Sequence, residues 1–155
     1  MKGFNNYTER EEFSIFKKFF LDHGRCKKMK KKEYFAEQGI VTTHAAYVEK
    51  GMFRYVCTDE NGCEHIVGYA FAGEYVGDYP QCIKKEKAIV SIQATTDSLI
   101  YYASAQEITN FFSTDKSTQE LEKILAEELC VLLIASACLF GRNVKIILAT
   151  LNGQS

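Results

Sequence analysis

Between residues 33 and 103 the chain is cut into short runs rich in Val, Ile, Tyr, Phe and Thr, each closed by turn residues. EYFAEQG, HAAYVEKG, MFRYVCTDENGCEHIVGYAFAGE, KAIVSIQATTDS and LIYYAS each read as one or two strands. Gly39, Gly51, Gly73 and Gly77 punctuate them, and TDENG at 58–62 supplies an Asn-Gly pair suited to a tight hairpin. So many short strands in so little chain leave no room for crossover helices, which points to an antiparallel sandwich or barrel rather than βαβ units.

Helical signals flank this region. Thr8 and Glu11 have capping-box spacing, Phe13, Phe16 and Phe20 follow at helical spacing, and Gly24 is a natural stop. RCKKMKKKE at 25–33 then reads as a solvated connector, because no aromatic residue is interleaved for base stacking. Ser104 and Glu107 open a short helix with Ile108, Phe111 and Phe112 on one face. Ser117 and Glu120 open a long one, on which Leu121, Leu125, Leu129 and Leu132 make an apolar stripe. A single β-domain offers no place to bury that stripe, so a second copy of the chain is the expected partner. The expected fold class is α+β, mainly β: an antiparallel double-stranded β-helix or jelly roll with an N-terminal helix and a long C-terminal dimerisation helix. The expected division is 1–116 for the β-roll with its N-terminal helix and 117–155 for the dimerisation helix and a short tail.

Composition narrows the function classes. At 155 residues with 46% hydrophobic and 25% charged side chains, the chain is an ordinary globular domain. The net charge of −1 gives no overall pull toward nucleic acid. LCVLLIASACLF at 129–140 is well short of the ~20 residues that span a bilayer. With no signal peptide at the start and six cysteines lacking metal-ligand spacing, the expected setting is the reducing cytoplasm. Cys57 and Cys63 flank the hairpin, which leaves a redox pair open as a question. His44, His65 and Glu64 lack the spacing of a metal site, and no nucleophile–base arrangement or P-loop occurs, so neither a metal nor an enzyme is expected.

The order of elements, carried by KKKEYFAEQG (30–39), YVEKGMFRYVCTDENGCEHIVGYAFAGEYVGDYP (47–80) and DSLIYYAS (97–104), resembles the cyclic-nucleotide-binding domain. More narrowly, it is similar to the sensor half of the Crp/Fnr family of bacterial transcription regulators. The resemblance implies a small-ligand sensor in transcription regulation, with a cyclic nucleotide or other small anion as the candidate effector and no other cofactor. In that family a Gly-Glu pair opens a phosphate-binding cassette, and an arginine about ten residues later pairs with the phosphate. Gly73 and Glu74, with the adjoining Tyr75, stand for the first part. Lys87 and Ala88 stand nearest the family's arginine and hydroxyl residue. YVGDYPQCIKKEK at 75–87 contains no arginine, and Asp78 adds a negative charge, so the cassette is degenerate. A lysine neutralises phosphate as a point charge without the guanidinium fork. The family's DNA-reading winged helix has no counterpart in GRNVKIILATLNGQS, so direct DNA binding by this chain is not expected. The alternative reading is a ligand-free dimeric interaction module.

Overall fold

The computed structural model of the chain describes residues 12–77 and 84–113. Two helices and eight strands are placed there, in the order α1 (Glu12–His23), β1 (Arg25–Met29), β2 (Tyr34–Ala36), β3 (His44–Lys50), β4 (Met52–Thr58), β5 (Glu64–Phe71), β6 (Tyr75–Val76), β7 (Ser91–Ala94), β8 (Ser98–Ser104) and α2 (Ala105–Phe112). The Thr8–Glu11 and Ser117–Glu120 boxes and the stripe Leu121, Leu125, Leu129 and Leu132 lie outside the described residues.

The strands form two four-stranded antiparallel sheets, one in the order β1-β8-β3-β6 and the other β2-β7-β4-β5. This is the jelly roll expected from the run of short strands. The period-two alternation of a strand divides its side chains between two cores. Along β3, Ala46 and Val48 point between the sheets, where they meet Met29, Val76 and Ile100 and, from the other sheet, Phe53, Tyr55, Ile92 and Ala94. Ala45 and Tyr47 point the other way, onto α1 and α2. Covered on both faces, β3 loses the polar alternation of a surface strand.

The second core is aromatic. Phe16 and Phe20 stand one turn apart on α1 with ring centroids 4.8 Å apart, edge to face, and Phe16 also stacks on Tyr75 at 4.9 Å. Phe19 reaches Phe111 of α2 at 4.6 Å. The helix stops where expected: the Gly24 amide donates to the Phe20 carbonyl at 2.8 Å, and a Cβ at Gly24 would lie 2.5 Å from that oxygen. The Ser104 capping box is present in full, Glu107 N–H donating to the Ser104 hydroxyl at 3.2 Å and Ser104 N–H to the Glu107 carboxylate at 3.0 Å.

Two local expectations change. Residues 25–29 are not a connector but the edge strand β1, hydrogen-bonded along β8. Its charges hid it: of RCKKM only Met29 is buried, the rest lying on an edge where lysines discourage further pairing. The β4–β5 connection is also not a two-residue Asn-Gly turn. Residues 59–63 form a longer loop in which only Gly62 takes positive φ. The Asp59 carboxylate organises it, accepting from the amides of Asn61 at 2.9 Å and Cys63 at 3.0 Å.

Candidate functional site

One stretch of backbone carries the candidate site. Residues 39–48 run as a rail to which two separate parts of the chain are tied. At one end Gly73 N–H donates to the Val48 carbonyl at 2.8 Å, and Val48 N–H donates to the Glu74 carbonyl at 2.9 Å. β6 continues the pairing, Tyr75 against Tyr47 and Val76 against Ala46. At the other end Thr42 N–H donates to Glu86 at 3.2 Å, Lys87 bridges Val41, and Ala88 exchanges bonds with Gly39 and Ile40 at 2.8 and 2.9 Å. The chain leaves the rail at Gly77 and returns to it at Glu86, with 78–83 outside the described residues.

The sequence-derived residues have distinct places in this arrangement. Gly73 holds φ +91° in a turn over 71–74. Glu74 closes that turn on itself: its amide donates to the Phe71 carbonyl at 3.0 Å, and its Oε1 accepts from the Phe71 amide at 2.7 Å. This turn precedes β6 and anchors the connection instead of heading it. Tyr75 points inward, only 5% exposed, onto Phe16, Phe20 and Tyr47. Burial and the neighbouring Tyr47 push its phenol far above the ordinary tyrosine range, so the side chain is a neutral core group. Ala88 is buried, and both of its backbone groups are engaged in the rail. Lys87 is exposed, as are Lys84 and Lys85, the last with φ +57°.

The sequence holds a second glycine–acid pair, Gly77–Asp78, and its glycine stands where the connection leaves the rail. The sequence shows both pairs four residues apart. Only the hydrogen-bonding pattern tells that the first closes its own turn, and the pairing of β6 with the rail ends at Val76, just before Gly77. Gly77 is held close to β3, since a Cβ there would lie 3.0 Å from that of Ala45.

Two concavities flank the rail and β2. A cavity of about 330 Å³ is lined by 34–37 and 40–44, with Phe35 and Ala36 in its floor and Ile40 and Val41 exposed at its rim. A wider groove of about 530 Å³ beside the β4–β5 loop is lined by Glu37, Asp59 and Glu64, a poor setting for an anion. There the Gln38 side chain substitutes for a strand, accepting from Thr58 N–H at 2.7 Å and donating to its carbonyl at 3.1 Å.

The histidines have local partners. His65 Nε2 lies 2.9 Å from the Asp59 carboxylate, and this contact, with the Cys63 and Asn61 amides, holds Asp59 below the usual carboxylate range. His44 Nδ1 meets the Thr43 hydroxyl at 2.8 Å, and its ring packs edge-on to Tyr102. Burial first and Arg25 second lower the His44 pKa, against a smaller opposing pull from Glu107. The unfolded chain therefore takes up the proton more readily than the fold. His44 contributes stability that is full above its ordinary 6.5 and is lost as pH falls through its lower folded value. Thermal melts between pH 7.5 and 5 are expected to show a declining melting temperature, with a shallower decline in His44→Gln; identical slopes would contradict this. The cysteine pair does not form. Cys57 is fully buried with its thiol 3.5 Å from the Ile89 carbonyl, while Cys63 is exposed in the loop.

No helix among the described residues is long and apolar enough to cross a membrane. No curated protein matches the sequence. Several solved structures share the fold. The catabolite activator protein of Thermus thermophilus superposes with TM-score 0.65 at 17% identity, over 83% of this chain and 59% of that one. The c-di-GMP-responsive global regulator CLP of Xanthomonas campestris gives 0.62 at 19%, over 77% and 57%. The sensor domain of the transcriptional regulator DNR from Pseudomonas aeruginosa gives 0.62 at 14%, over 83% and 92%. The chain thus spans a little over half of the first two proteins and nearly all of the isolated sensor domain. The cyclic nucleotide-binding domain model matches residues 26–115. Both the strand order and the matched span lead to one assignment: the chain belongs to the cyclic nucleotide-binding domain family.

Proposed function

We propose that the chain is a dimeric, cytoplasmic small-ligand sensor of Crp/Fnr type whose ligand loop is the connection between Gly77 and Lys87. The observation that carries this reading is the double anchoring on residues 39–48, which fixes where that connection begins and ends. With both ends held by ladder bonds, the base of the connection is positioned in advance, so ligand binding need not order it. Gly77 lets backbone approach closely, Asp78 follows it as an acceptor for ligand hydroxyls, and Lys84, Lys85 and Lys87 supply positive charge for a small anion. Gly73 and Glu74 position this loop from below rather than touch the ligand. The resemblance to the DNR sensor domain and to CLP supports a sensory role for the β-roll.

The ligand class is a cyclic nucleotide or a similar small anion, held weakly. Ala88 stands buried beside Lys87, and no guanidinium is present in the connection. Exchanging a bidentate guanidinium contact for a lysine costs about 2–3 kcal/mol, roughly 30- to 150-fold in affinity. Isothermal titration with cyclic AMP and cyclic GMP is expected to give heat that Lys87→Gln diminishes.

Silence with both ligands would favour the second reading, a ligand-free interaction module. That reading draws on the closed 71–74 turn and the fully engaged Ala88 backbone. In either case the apolar stripe Leu121, Leu125, Leu129 and Leu132 is proposed as the contact between two copies. Leu125→Asp is expected to halve the mass seen by light scattering or to cause aggregation, and an unchanged mass would remove the helix as the contact.

A further inference from the structure

We propose that β1 and the turn after it form a cationic ridge that binds the phosphate backbone of a nucleic-acid duplex without reading sequence. Lys27, Lys28, Lys30, Lys31 and Lys32 are all exposed along this edge, and among the described residues none of them makes an ion pair. Arg25, at the start of the strand, is by contrast neutralised by Glu107 at 3.1 Å and lies over the Tyr102 ring. The two carboxylates nearest the turn face its backbone: Asp97 accepts from Lys31 N–H at 2.9 Å, and Glu33 from Lys30 N–H at 3.2 Å.

The turn is rigid as well as charged. Lys32 N–H donates to the Ala94 carbonyl at 2.8 Å, Gln93 donates to the Lys32 carbonyl at 3.0 Å, and Glu33 N–H returns to Lys30 at 3.0 Å. Within it Lys32 holds φ +78°, a conformation that favours glycine and is strained for a residue with a side chain. A lysine kept at a strained position, its backbone fixed and its ammonium in water, is an observation a merely solvated connector leaves unexplained.

The ridge has the chemistry of a polyphosphate reader. Lysines are point charges that neutralise phosphate oxygens from any direction, without the fixed geometry of a guanidinium fork, which suits contact that reads no sequence. The one large apolar side chain between residues 25 and 33, Met29, is buried, so this stretch offers little to insert into a lipid surface. No aromatic residue lies between residues 25 and 33, so contact along the ridge itself is to the phosphate backbone rather than by base stacking. The overall charge of −1 conceals this local surplus.

The test is fluorescence anisotropy of a labelled 30-base-pair mixed-sequence DNA duplex with the full chain at 50–200 mM KCl. Five lysines against two nearby carboxylates leave about three effective charges, so affinity should be near 10⁻⁵ M at low salt and fall roughly 40-fold over that range. Lys28→Gln/Lys31→Gln is expected to reduce the logarithmic salt slope by about 2, and Lys18→Gln on α1 to leave it unchanged. Lys32→Gly should melt about 2–4 °C higher yet bind more weakly, a combination that a purely structural lysine does not give. No binding at 50 mM KCl, or binding that the double variant leaves intact, would overturn the proposal. So would a preference for vesicles containing anionic lipid over the duplex.

Discussion

Phe16→Ala is expected to cost about 3–5 kcal/mol, enough to consume most of the stability of a domain this size. Phe16 is 1% exposed and stands at the junction of three elements. Its ring touches Phe20 on its own helix, Tyr75 of β6 and Phe111 of α2 at centroid distances of 4.8, 4.9 and 6.1 Å. Removing it opens a cavity that none of the neighbours can fill without leaving another partner. The consequence reaches the candidate site, because Tyr75 begins the short strand that leads into Gly77. Urea unfolding should show a midpoint lowered by more than half, or a chain that does not fold. A shift worth less than 1 kcal/mol would mean that α1 is dispensable to the β-roll.

Gly51→Ala is expected to be nearly as damaging, at about 2–5 kcal/mol. Gly51 joins β3 to β4 with φ +102°, which alone disfavours a side chain by about 1–2 kcal/mol. The added Cβ would also lie 2.8 Å from the Ser98 Cα, a backbone atom that cannot swing aside. Gly39→Ala is the matched control, since φ +85° there is equally positive but nothing lies within 4 Å of the new carbon. The difference between the two variants measures the steric contribution alone. Equal losses would show that backbone conformation, not the approach of Ser98, is what the glycine provides.

The parts of this molecule legible in its sequence are those written in local chemistry. The Ser104–Glu107 box, the stop at Gly24 and the aromatic spacing of Phe16 and Phe20 depend on residues within a turn of each other. Each is found where the spacing predicts. Strand β1 was hidden because an edge strand needs only Met29 inward, leaving RCKKM indistinguishable from a charged linker. The site was partly legible for a related reason. Two glycine–acid pairs occur four residues apart, and nothing local distinguishes Gly73–Glu74 from Gly77–Asp78. What separates them is Val48, whose two backbone groups fasten the first pair to the rail, and the Phe71 amide, which occupies the Glu74 carboxylate. Those partners lie outside the reach of any spacing rule. Likewise, KAIVSIQATTDS reads as one strand run in sequence, yet β7 begins only at Ser91, and Ala88 is bonded instead to Gly39 and Ile40.

The position of the ligand loop is the claim on which the functional reading depends, and an amide-resolved NMR titration with cyclic AMP tests it most directly. The account predicts shifts concentrated at Gly77, Lys84, Lys85 and Lys87 and along residues 40–46 of the rail, with Asn61 and Gly62 unmoved. Shifts confined to the 59–63 loop, or none at millimolar nucleotide, would contradict it.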